Sequence, residues 1–179
     1  MSRIAYLIDQ IVETRSFANR LISEMPHDLW FRKPPNTDSN FAWQIGHMMM
    51  AQNFHGITVI TGRNENVINL IPVAKYVSYF NGMGALHRSI EEGVIPPTAL
   101  KQQFDAIHKV CLETLHSLED EDLREDLEPI PIKHPIAETK YEAISWCFKH
   151  EMWHCAEMEA IKRELGHPII WTKQNKLSS

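Results

Sequence analysis

Apolar residues recur at spacings of three and four along most of this chain, and no stretch sustains the two-residue alternation of a strand. Residues 3 to 24 place Ile4, Leu7, Ile8, Ile11, Ala18, Leu21 and Ile22 on one helical face. Met25-Pro26 ends that helix, because the residue before proline avoids the helical region. After the turn-like PPNTDS, one of Thr37, Asp38 or Ser39 is expected to cap a second helix from about Asn40 to about Ile60. A third is expected from about Ala99 to Leu118, capped by Thr98, with Phe104, Ile107, His108, Cys111, Leu115 and Leu118 as its apolar stripe. Thr139 and Glu142 form a T-x-x-E capping box for a fourth from about Lys140 to Leu165, with Gly166 at its C-terminal cap.

Residues 61 to 97 break this regularity with Gly62, Pro72, Gly82, Gly84, Gly93, Pro96 and Pro97. Short helices are expected near Val73 to Phe80 and Leu86 to Glu92. The flanking pieces are too small to fold alone, so the stretch reads as a crossover within one domain spanning residues 1–179. The expected class is therefore all-α: a four-helix bundle with a long crossover between helices 2 and 3.

Composition narrows the function. The chain has 179 residues, 44% hydrophobic, with a net charge of −5. Mild acidity argues against a nucleic-acid partner and against a basic membrane-surface helix. No apolar run reaches the ~18 residues of a membrane span. The N-terminal stretch carries Asp9 and Glu13 inside its apolar pattern and shows no leader cleavage site, which reads as cytoplasmic. Three cysteines, Cys111, Cys147 and Cys155, suggest reduced thiols and not a disulfide framework.

The chemistry concentrates in W-C-F-K-H-E-M-W-H-C-A-E-M-E. His154 lies about 40° around the helix from His150, so both imidazoles leave one face a turn apart. Ala143, Cys147, Met158, Ile161 and Leu165 share that face, which places the two histidines inside the core stripe. A lone core histidine is usually satisfied by one hydrogen bond. Two at i, i+4 are harder to bury separately and have the spacing of metal ligands. A third ligand must come from another helix. His47, in W-Q-I-G-H, has Trp43, Met50 and Ala51 around it, and Gly46 beside it admits a close neighbour. His55 is the weaker candidate, and His108 reads as a core histidine. Cys147 reads as a buried thiol, and Trp43 with Met48-Met49-Met50 as core.

Two metal motifs match only superficially. His150-Glu151-Met152-Trp153-His154 fits H-E-x-x-H, but the position of a further histidine is Ala160 and no strand precedes the helix. Glu113-x-x-His116 and Glu151-x-x-His154 suggest a di-iron site, but helix 2 has no acidic residue between Phe41 and Gly62.

N-F-A-W-Q-I-G-H and H-E-x-x-H-x-x-E together resemble the DinB/YfiT-like superfamily of cytoplasmic four-helix bundles, over nearly the whole chain. The resemblance implies a metal triad of His47, His150 and His154. Where that family usually shows glutamine, this chain has Glu157, whose carboxylate fits a partner of a ligand histidine, a base, or a fourth ligand. The resemblance implies either a metal-dependent hydrolase or a thiol S-transferase acting on a small molecule, with a low-molecular-weight thiol as one candidate. The competing reading is a non-catalytic, metal-binding stress-response bundle. Three imidazoles and an open position suit a divalent ion, zinc first, with nickel and iron also compatible. Glu151 and Glu157 are the candidate catalytic carboxylates, each with a plain ion-pair reading beside it. The resemblance also implies a homodimer. Tyr6 and Phe17, with Phe148 and Met152 about 160–200° from His150, offer an outer apolar face for it unless the crossover covers them.

Overall fold

A computed structural model describes residues 2–82 and 88–170 of the chain, and it is helical. The long elements are α1 (Arg3–Ser23), α2 (Phe41–Asn53), α5 (Pro97–His116) and α6 (Lys140–Glu164), with shorter α3 (Glu65–Leu70) and α4 (Val73–Phe80) between α2 and α5. A π-helical turn, Phe54–Thr58, and a last helical turn, Val59–Thr61, extend α2. Among the described residues there is no strand, only isolated bridges between Ser39 and Arg88 and between Asp126 and Thr139. No helix among them is long and apolar enough to cross a membrane.

Helix starts differ from expectation in two places. The cap of α2 is Asn40, whose side chain accepts from the Trp43 amide at 3.0 Å while its Nδ2 donates to Ile90 O at 2.8 Å. Tertiary bonding selects Asn40 over Thr37, Asp38 and Ser39. Helix α5 begins at Pro97, two residues before the expected start, because proline at the first helical position gives up no intrahelical bond. The capping box of Thr139 and Glu142 is formed. The helix expected at Leu86 to Glu92 begins in residues outside the described set, and its described part, Arg88 to Glu92, is not helical.

Packing directions follow from side-chain pairs. Arg15 meets Glu151 and Leu21 meets Lys162, so α1 and α6 run the same way. Gln44 meets His154 and His47 meets His150, so α2 runs against α6. Gln52 meets His108 and Gly56 meets Cys111, so α2 and α5 are parallel. Parallel neighbours require the chain to return a full helix length between them, which explains the long crossover. That crossover is not idle: α4 packs on α2.

Helix α2 is therefore enclosed. Trp43, Ile45, Met48 and Met49 are buried with Gln44 and Gln52 on the other positions, and only His47 and Ala51, one turn apart, stay partly exposed. Among the described residues, Tyr6 stays 51% and Met152 43% exposed on the outer faces of α1 and α6. Phe17 and Phe148 are half-buried against the core.

Candidate metal centre

Three local devices fix His47. Asn40 sets the start of α2, and His47 follows two turns on. Gly46 leaves room for α4: a Cβ there would fall 2.2 Å from the Phe80 ring, so only glycine lets Phe80 pack this close. That approach delivers the Phe80 carbonyl to His47 Nδ1 at 2.7 Å. Trp43 stacks on the His47 ring at 4.6 Å and 7°, itself held by an Nε1–H bond to Tyr79 O. His150 and His154 come from the middle of α6, whose register the capping box sets.

The histidines that sequence pattern and family resemblance bring together do meet. His47, His150 and His154 offer nitrogens all within 4.8 Å of one another, on rings 4.5–5.2 Å apart. Hydrogen bonds settle the tautomers of two. His47 Nδ1 faces a carbonyl, so it carries the proton and Nε2 keeps its lone pair. His154 Nδ1 faces Gln44 Oε1 at 2.7 Å and Glu157 Oε2 at 3.2 Å, both acceptors, so its Nε2 is also bare. His150 Nε2 then lies 3.2 Å from the bare His154 Nε2. Two nitrogens bonded at ~2.0–2.1 Å to one tetrahedral ion are about 3.3 Å apart. His150 Nδ1 is buried without a hydrogen-bond partner, so nothing on its far side fixes a different tautomer.

Electrostatics keeps two of these rings neutral. Burial, with His154 beside it, lowers His47 to about 4. Burial, with His154, His47 and His55 around it, lowers His150 to about 2. Neutral imidazoles are the ligand form. The donor set therefore fits a borderline divalent ion.

The two candidate carboxylates part company. Glu157 lies behind His154, on the Nδ1 side, and accepts from Gln44 Nε2 at 2.7 Å. The hydrogen bond from His154 holds its carboxyl below the usual range. Glu151 is buried and pairs with Arg15, Nε to Oε1 at 2.7 Å and Nη2 to Oε2 at 3.1 Å. The base position of the H-E-x-x-H motif is thus tied to α1.

Other candidates fall elsewhere. Cys147 is buried beside Cys111, whose hydrogen bond, together with burial, pushes the thiol up. Glu113 and His116 are exposed. His108 is half-buried, and its Nδ1 accepts from Gln52. His55 is buried, pairs with His134 at 2.8 Å, and lies edge-on to His150. Sequence reasoning missed Gln44 and His134. An amide one turn before His47, among Trp43, Ile45 and Met48, was the available signal for Gln44. A histidine in a proline-rich connection gave none for His134.

The model of one family, the DinB superfamily, matches residues 10–158. No curated protein matches the chain.

Proposed function

The chain belongs to the DinB superfamily, and we propose that it binds one divalent metal ion through His47, His150 and His154 and uses it to act on a small molecule. The reading carries the architecture with it: a four-helix bundle of α1, α2, α5 and α6, forming one domain over residues 1–179. The observation that supports it most is the tautomer set. Backbone and side-chain acceptors hold the outer nitrogens of His47 and His154, leaving the inner ones bare toward His150.

When bound, such an ion supplies Lewis acidity and lowers the pKa of a coordinated water or thiol. The protein's own groups do the rest. Phe80 O and Gln44 fix two ligand rings. Glu157 acts through His154: its oxygen accepts from the Nδ1 side and raises the basicity of Nε2. That placement behind the ring also speaks against Glu157 as a fourth ligand closing the site, and so favours an enzyme over a purely structural ion. Hydrolysis and thiol S-transfer are the two reactions such a site supports, with zinc as the first metal and nickel or iron as alternatives. Glu151 serves the fold through Arg15.

Zinc titration by calorimetry should give one site per chain, and the loaded protein should turn over in a panel of thiol-transfer and hydrolysis substrates. Binding without any turnover would leave the metal reading standing and remove the enzyme. A cytoplasmic homodimer completes the proposal, pairing through the exposed groups around Tyr6 and Met152. Sedimentation at a single-chain mass of 20.8 kDa at all concentrations would remove that dimer.

A further inference from the structure

A second pair of histidines adjoins the three. His55 sits in the π-helical turn Phe54–Thr58, and such turns recur at functional sites. His134 comes from the connection between α5 and α6. Both are buried. Phe54 stacks on His134 at 5.6 Å and 9°, fixing its plane.

The protons in this pair are ordered from the backbone inward. His134 Nδ1 accepts from the Ala137 amide at 2.8 Å and the Ile136 amide at 3.2 Å. Its proton therefore lies on Nε2 and is donated to His55 Nδ1 at 2.8 Å. With Nδ1 accepting, the neutral His55 ring carries its own proton on Nε2, at the ring position away from His134. The His55 ring lies 5.4 Å from that of His150, at 66°. Burial, with His134 and His47 nearby, keeps His55 uncharged, at about 3.

We infer that His55 is a fourth functional histidine of the centre, set by His134 to present its Nε2–H to an anion held in the cup of His47, His150 and His154. The inference rests on the metal reading above and narrows it: the group taken at the open position is an anion that accepts a hydrogen bond, such as a carboxylate or a thiolate. His55 is a donor and not a ligand. Ligation through Nε2 would move its proton to Nδ1, facing the His134 proton across 2.8 Å. His134 is a positioning residue.

The probe is azide on cobalt(II)-loaded protein, read by the visible absorption of the metal. Wild type should take one cobalt per chain and respond to azide. His55→Phe and His134→Phe should keep the cobalt stoichiometry and weaken azide about tenfold or more, the scale of one hydrogen bond to a charged group. His134→Gln, whose amide nitrogen replaces the donating ring nitrogen, should recover most of the loss. Unchanged azide affinity in both Phe variants, no azide response in wild type, or lost cobalt stoichiometry in His55→Phe would each overturn the assignment. If wild type takes no cobalt, the metal reading fails separately. Long-range proton–nitrogen NMR of the metal-free wild type then decides His55: a protonated Nε2 with bare Nδ1 supports the inference, and the opposite tautomer overturns it.

Discussion

Two polar clusters sit on neighbouring residues of α6, and they have opposite characters. From Glu151, the chain of contacts runs inward to Arg15, whose guanidinium also donates to Gln52 Oε1 at 2.7 Å and Phe104 O at 2.9 Å and lies over the Phe104 ring at 3.5 Å. Gln52 passes the network on to His108. Donors there meet acceptors and the cluster closes on itself. From His150, one residue back, the contacts lead to His47 and His154, whose outer nitrogens are bonded and inner ones bare. Both clusters are buried or nearly so, and both hold titratable groups. Burial and polarity alone therefore do not mark a functional site. What separates them is bonding capacity left over after the protein has satisfied itself.

The largest expected effect separates the clusters most cleanly. His47→Ala or His154→Ala should abolish stoichiometric zinc binding while the far-ultraviolet circular dichroism stays helical, because the helices have their own apolar faces and caps. A random-coil spectrum, in these variants or in metal-free wild type, would show that the ion makes the fold. Next comes Arg15→Met, which leaves Glu151 charged and alone. It should lower stability by about 3–5 kcal/mol in urea unfolding, yet keep zinc stoichiometry. Adding Glu151→Leu should recover most of the loss, since the uncompensated charge is then gone. Loss of zinc binding in folded Arg15→Met would erase the distinction between the clusters.

A third effect is a pH dependence of the metal-free protein. His47, His55, His108 and His150 are held below their ordinary 6.5, at about 4, 3, 3 and 2, mainly by burial. Between those values and 6.5 the unfolded chain binds protons that the folded one refuses, so stability is complete above 6.5 and falls as pH drops through the folded values. Melting temperatures in chelator should be lower at about pH 5 than at about pH 8. A flat profile over that range would mean these rings are not held neutral.

Some of this was legible in the sequence for definite reasons. His150 and His154 share a face by helical geometry alone, and the Thr139–Glu142 box fixes where that helix begins, so the pair could be read from α6 in isolation. Gly46 announced a close neighbour but not which one. Phe80 is supplied by α4, a short helix of the crossover. Glu151 reads as a candidate because it adjoins His150 and fills the base position of H-E-x-x-H. Its actual partner, Arg15, stands 136 positions away, and no local pattern links them. Gln44 and His134 were hidden likewise, since amides and histidines take their meaning from what they face. The expected cap of α2 slipped to Asn40 because Asn40 also bonds to Ile90 across the crossover.

The bond between Gln44 and His154 joins positions 110 residues apart. A chain emerging vectorially carries His47 early and gains its two partners only when α6 has been made. Until then a single imidazole has little hold on an ion, and the loop to be closed spans most of the molecule. Under the proposed metal reading, the centre would therefore report completion of the chain. An unfinished or truncated chain should leave metal in circulation, and capture of the ion should coincide with the docking of the last helix.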